Sequence, residues 1–139
     1  MARVDNYTQR TAIEELRSDV TLDFIRNPIT GNLSKLVNEK AVAQSLKNLV
    51  LSQVEEWPHF PQVGSLIYKM LFEPMDSVTA GMMREAIEQA VSRNEFGAQV
   101  VAVNVIPQSS EDGYRIELYF MLVNSTQIHT VSTFLKRLR

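Results

Sequence analysis

The apolar residues of this chain change period near residue 100, and that change constrains the fold more than any other feature. From Tyr114 to Val123 the apolar residues Tyr114, Ile116, Leu118, Phe120 and Leu122 alternate with Arg115, Glu117, Tyr119, Met121 and Val123. A period of two is that of a strand with one strongly apolar face. Upstream, Val42, Leu46, Leu49, Val50 and Val54 fall at i, i+4, i+7, i+8 and i+12, the stripe of an amphipathic helix. Met83, Ala86, Ile87, Ala90 and Val91 fall at i, i+3, i+4, i+7 and i+8, a second such stripe, with Arg84, Glu85, Glu88 and Gln89 on the opposite face. A chain that places its helices first and its strands afterwards points to an α+β domain, with helices packed on one face of an antiparallel meander.

Punctuation residues set the expected boundaries. Asn38 is positioned to cap a helix over residues 39–56, with Glu39 in its first turn. Pro58 and Pro61 disfavour helix at Trp57 and Phe60, so the stretch from Trp57 to Pro61 reads as a stiff aromatic loop. Gly64 permits a sharp re-entry into a short helix over 64–72 carrying Leu66, Ile67, Met70 and Leu71, which Glu73-Pro74 breaks. Asp76 or Thr79 can cap a third helix over 77–94, and Gly97 stands where a left-handed residue often ends one. The β-branched run over 100–106, closed by Pro107, reads as a first strand. Strands over 113–123 and 127–135 follow, separated by the turn Asn124-Ser125-Thr126.

The first 20 residues are polar, with only Ile13, Leu16 and Val20 at helical spacing. They read as an arm, and residues 21–139 as one domain. Pro28 and Thr30-Gly31 mark a turn between extended segments.

The chemistry the sequence offers is sparse. Its 139 residues include no cysteine, which removes disulfides, thiolate metal sites and cysteine nucleophiles. His59 and His129 share no metal-ligand spacing. The five glycines are scattered, so no phosphate-cradling loop is present. A net charge of −2 gives no nucleic-acid footprint. The first 20 residues lack the apolar core of a signal peptide, and no apolar run has the length of a membrane span. Only carboxylates leave room for an enzyme. Glu55, Glu56, Glu73 and Asp76 lie near aromatic residues, and Glu56 with Glu73 would be a pair for glycoside hydrolysis. No motif selects any such pair. Read locally, the first two end a helix, Glu73 sits in a turn and Asp76 is a cap. The meander offers a different opening, because a small open sheet has edges that either accept another chain's strand or are covered by the chain's own helices or N-terminal arm, and the pattern alone favours neither.

Several segments together resemble the sheath-initiator family of contractile-tail baseplate wedge proteins, to which a type VI secretion baseplate subunit is related. The run from Asn38 to Leu49 is similar to the family's first long helix. Pro58, Pro61 and Gly64 are similar to its loop, and the segment Leu71-Phe72-Glu73-Pro74-Met75 to the close of its short helix. Val101-Ala102-Val103-Asn104-Val105-Ile106-Pro107, followed by Tyr114 to Val123, carries the most specific likeness. The matches run in order over roughly residues 20–135. Three positions depart from the family pattern. Trp57 stands where the family has an arginine. His59 and Phe60 displace its loop aromatic by one place. Glu95-Phe96-Gly97 stands where the family has a Glu-Pro-Arg turn.

The resemblance implies a structural role in a virion tail, assembled in the host cytoplasm, with six copies around the tube or hub. It implies wedge contacts with a helical core bundle through Trp57, Pro58, Phe60, Glu73, Pro74, Asp76 and Glu95. It implies strand pairing with the tail sheath protein through Tyr114, Ile116, Leu118, Phe120 and Leu122, and through Ile128, Val131 and Phe134. No cofactor is implied, and no nucleic-acid or membrane partner. Members of the family often carry a lysozyme-like name. No residue pair here supports that activity, so it is not carried over and the chain is expected not to be an enzyme. The alternatives are a peptidoglycan-degrading enzyme using a pair such as Glu56 and Glu73, and a type VI secretion subunit.

Overall fold

The computed structural model describes residues 17–138. Ile13 and Leu16 of the expected arm helix lie outside the described residues. Val20, the third of that stripe, stands in a strand instead. Strand β1 (Ser18–Val20) pairs antiparallel with β2 (Lys35–Val37), and an Arg26–Leu33 bridge continues the hairpin toward its tip. Gly31, at φ 73°, closes the turn that the Thr30-Gly31 pair announces.

Three helices follow: α1 (Glu39–Leu51), the single turn α2 (Ile67–Met70) and α3 (Ser77–Asn94). The strands β3 (Ala98–Gln108), β4 (Gly113–Leu122) and β5 (Ile128–Lys136) complete the chain. They form one antiparallel sheet in the order β3-β4-β5, with β4 in the middle. The expected α+β meander is therefore the observed architecture.

Alternation along β4 aims Tyr114, Ile116, Leu118 and Phe120 at the helices, and all four are fully buried. Val42, Leu46 and Val50 of α1 meet them from above, together with Ile67 and Leu71 around α2 and Met83, Ile87 and Val91 of α3. This one cluster supplies the hydrophobic stabilisation. A fully buried leucine or phenylalanine contributes about 1.5–3 kcal/mol.

Two boundaries differ from expectation. Helix α1 ends at Leu51 rather than near residue 56. The returning chain at Ser65 donates its amide to the Ser52 carbonyl at 2.9 Å, and Gln53 bridges Ser65 in parallel. Gly64, at φ 126°, packs so tightly on Gln53 that a Cβ there would lie 2.6 Å from its carbonyl carbon. The re-entrant segment thus holds Ser52 extended and cuts the helix short. The short helix is likewise a single turn, because Leu66 remains outside it and Leu71 forms its C-cap.

Pro107 does not end β3 but lies within it, opposite Tyr114. A strand tolerates proline where the missing N–H would face away from the neighbouring strand. Gly97 is not left-handed; Glu95, extended at φ −115°, is the C-cap of α3.

Candidate partner-binding surfaces

Main-chain geometry decides which parts of the sheet can meet another chain. Arg137 donates its amide to the Asp112 carbonyl at 2.8 Å. In an antiparallel ladder the bonded pairs then recur every second residue, at 114/135, 116/133, 118/131 and 120/129. The main-chain groups of Ile128, Thr130, Ser132, Phe134 and Lys136 consequently point away from β4. Among the described residues no backbone hydrogen bond reaches them. On the other side, Val123 donates to Gly97 at 3.3 Å. The same reasoning turns the groups of Ala98, Val100, Val103, Val105 and Pro107 outward from β3.

This places the residues expected to pair with a sheath strand in three different roles. Tyr114, Ile116, Leu118 and Phe120 belong to the interior strand and the core, where both edges of β4 are already used. Leu122 and Val131 are half-buried beside that core. Ile128 and Phe134 lie on the outer face of the edge strand β5 and are exposed. Phe134 also covers Gly113. A Cβ at Gly113 would lie 2.5 Å from the Phe134 ring and 2.4 Å from the Leu135 carbonyl oxygen. The ring fills the place of the missing side chain and binds β5 closely to β4.

The expected wedge-facing residues divide between the two ends of α3. Asp76 accepts the Thr79 amide at 2.7 Å and caps the start of the helix. That hydrogen bond lowers the Asp76 carboxyl below its ordinary value. Glu73 and Pro74 are exposed beside it. The Pro74 carbonyl accepts from the Tyr114 hydroxyl at 3.5 Å, and burial pushes that hydroxyl's pKa up. Glu95 follows the other end of the helix, roughly 27 Å away at 1.5 Å per residue. These residues are not one patch.

Glu95 is not a surface turn residue: it is 5% exposed. Its carboxylate pairs with Arg17, accepts the Ser45 hydroxyl at 2.8 Å and accepts the Gly97 amide at 3.0 Å. The contact joins the chain ahead of β1 to α1 and to the start of β3. Nothing in the local sequence announced it, because its partner is 78 residues away. A Cβ at Gly97 would lie 2.8 Å from the Arg17 guanidinium, which gives this glycine its use. Trp57 is half exposed and lines a hollow of about 380 Å³ that Arg17 and Glu95 also line. Pro58 and Phe60 project further from the same loop.

Of Glu55, Glu56, Glu73 and Asp76, only Glu55 lines one of the main hollows among the described residues. A hollow of about 680 Å³ beside the aromatic loop has Glu55 as its one carboxylate, whereas the mechanism needs two. Glu56 is exposed and accepts the Gln53 amide at 2.9 Å. The downward shift at Asp76 is opposite to what a general acid requires. Among the described residues there is no cluster that could hold a metal ion, and no helix long and apolar enough to cross a membrane.

Comparison with known proteins gives this geometry a setting. The family model of baseplate wedge protein gp25 matches residues 37–127. The baseplate wedge protein gp25 of Enterobacteria phage T4 is 26% identical over 113 residues, covering 81% of this chain and 85% of its own length. A solved structure from Geobacter sulfurreducens, described as a tail lysozyme, shares the fold with a TM-score of 0.68 at 16% identity. It covers 73% of this chain and 92% of its own. A chain of the anti-feeding prophage baseplate gives a TM-score of 0.59 at 19% identity, covering 85% and 83%. A chain of the type VI secretion baseplate complex gives 0.57 at 14% identity, covering 68% and 88%. With an ordered match through all three helices and into the sheet, the chain belongs to the family of baseplate wedge protein gp25.

Proposed function

We propose that this protein is a structural subunit of a virion tail baseplate, that it joins the wedge core to the contractile sheath, and that it sets the first sheath ring by strand pairing. Family membership supports the baseplate role. The observation that carries the pairing role is the open sheet, whose edges present main-chain donors and acceptors without partners among the described residues. Main-chain pairing supplies affinity, and the alternating side chains set the register. The exposed aromatic loop with Trp57 and Phe60, and the Glu73–Asp76 turn, are two separate surfaces for other wedge proteins.

The test is to assemble tails without this chain and to image them. Tubes and baseplates that lack an ordered sheath are expected. Sheaths that still start in register on such baseplates would remove the role.

The Geobacter neighbour named for a lysozyme motivates one rival reading, a peptidoglycan-degrading enzyme. Glu56 and Glu73, the pair weighed for that chemistry, line none of the main hollows among the described residues, and the chain is proposed to be non-enzymatic. A zymogram of the purified protein decides between them. Clearing that Glu73→Gln abolishes would establish the enzyme.

A further inference from the structure

We infer that the sheet accepts a partner strand at the β5 edge alone, and that the incoming segment carries an acidic residue where it passes Lys136. The inference rests on the strand-pairing reading and adds which edge is used and by what chemistry.

The two edges are built differently. Strand β3 carries a bulge at Val101, where the register shifts between Val100 and Ala102. A bulge bends and twists a strand and divides its edge into two short stretches. Pro107 then removes one of the outward donors, leaving Val103 and Val105 on the C-terminal side of the bulge. Bulges and prolines are the means by which edge strands resist pairing. Charged side chains add to this. Arg84 of α3 lines a hollow with Val103 to Pro107, and Glu88 lines one with Ala98 to Val101. A strand added at β3 would take both charges out of water.

Strand β5 has neither bulge nor proline, and its edge is closed only beyond Lys136, where the Leu138 amide donates to the Leu71 carbonyl at 3.2 Å. Its nine residues pair with β4 without a register shift and contain no proline. Five outward main-chain positions, from Ile128 to Lys136, follow one another without interruption. They span roughly 27 Å at 3.4 Å per residue. On the outer face the same strand presents Ile128, Thr130, Ser132, Phe134 and Lys136 in order. No acidic residue lies on β5, and its one fixed charge is Lys136. The fitting segment is therefore extended. It is apolar opposite Ile128 and Phe134, β-branched or small opposite Thr130 and Ser132, and acidic opposite Lys136. A one-residue slip would set the acidic group on the other face, so the charge also fixes register.

Photo-crosslinking in assembled tails tests this directly. Benzoylphenylalanine is placed at Ser132 of β5 or at Val101 of β3, both exposed side chains, so the fold is retained. Circular dichroism melting confirms it. The expected result is an adduct to another tail protein from Ser132 and none from Val101. An adduct from Val101, alone or together with Ser132, overturns the single-edge inference and leaves the pairing reading standing. No adduct from either position removes the pairing reading itself. Combining the Ser132 probe with Lys136→Glu should lower the adduct yield about fivefold, the scale expected of a reversed cross-strand charge pair. An unchanged yield overturns the acidic partner.

Discussion

Replacing Gly113 by alanine should detach the C-terminal half of β5, and the structure sets the size of the effect. The new Cβ would lie 2.4 Å from the Leu135 carbonyl oxygen, 2.5 Å from the Phe134 ring and 3.1 Å from the Lys136 Cα. Two of these atoms are backbone, so a rotamer change cannot relieve the clash. A carbon needs about 3.5 Å from its neighbour, and β5 must therefore retreat by roughly 1 Å. The rung from the Arg137 amide to Asp112, now 2.8 Å, would stretch beyond hydrogen-bond length together with its neighbour at 114/135. Two lost bonds at about 1 kcal/mol each, with about 1–2 kcal/mol of overpacking, give about 3 kcal/mol. For a domain of this size that lowers the melting temperature by roughly 6–12 °C. Gly81→Ala is the opposite-signed control. It lies inside α3 with nothing within 4 Å of its Cβ position. Alanine there should add about 1 kcal/mol through helix propensity and a less free unfolded chain. The assay is thermal melting followed by circular dichroism. A Gly113→Ala protein melting within about 2 °C of the parent, well under the expected loss, would refute the close approach of β5 to β4.

Other substitutions read other parts of the molecule. Phe120→Ala, in the fully buried centre of the sheet, should cost about 3–5 kcal/mol in urea unfolding by leaving a cavity. Arg17→Ala removes the cation from the buried Glu95 carboxylate while Ser45 and Gly97 still donate to it. Because Arg17 is 42% exposed and screened by solvent, the loss should be about 1–2 kcal/mol. It should leave Asp76→Ala additive with it, as the two sites are far apart. Asp76→Ala should lower the melting temperature at pH 7 by removing the cap of α3. The charge part of this contribution has a defined pH sense. The folded carboxyl titrates below its ordinary value of 3.8, so its stabilisation is complete above that value. It is lost as pH falls through the lower, folded value. Parent and variant melting curves should therefore converge in acid. A gap that widened below pH 3.8 would contradict the assigned hydrogen bond.

Local signals explain how much was legible beforehand. Helix α3 was readable at its start because Asp76 caps it by a bond to Thr79, three residues on, and along its length because its stripe is local. The strand β4 was readable because alternation alone reports which side faces the core. The end of α1 was not, since Ser65, thirteen residues further along, holds Ser52 extended. Pro107 read as a terminator because sequence cannot say which way a missing N–H would point. Glu95 read as a surface turn for the same kind of reason. Its burial depends on Arg17 and Ser45, one outside the helical region and the other on α1.

The burial of β4 also changes what the partner-binding residues have to do. An apolar strand in the sequence invites the idea that its side chains meet the partner. Here Tyr114, Ile116, Leu118 and Phe120 are consumed by the core, and they act on pairing by fixing the plane and register in which β5 is held. The proposed contact is then mainly main-chain, with Ile128, Phe134 and Lys136 as the side chains that distinguish one incoming segment from another. This separates two kinds of failure. Loss of a core residue should remove binding and folding together. Loss of an outer-face residue such as Ile128 should weaken or misregister the contact while the melting temperature stays within about 2 °C, since exposed substitutions usually change stability by less than about 0.5 kcal/mol. Ile128→Ser, which keeps the edge but removes 54%-exposed apolar surface, is the discriminating variant. An altered melting curve together with an unaltered sheath would place Ile128 in the fold and not in the contact.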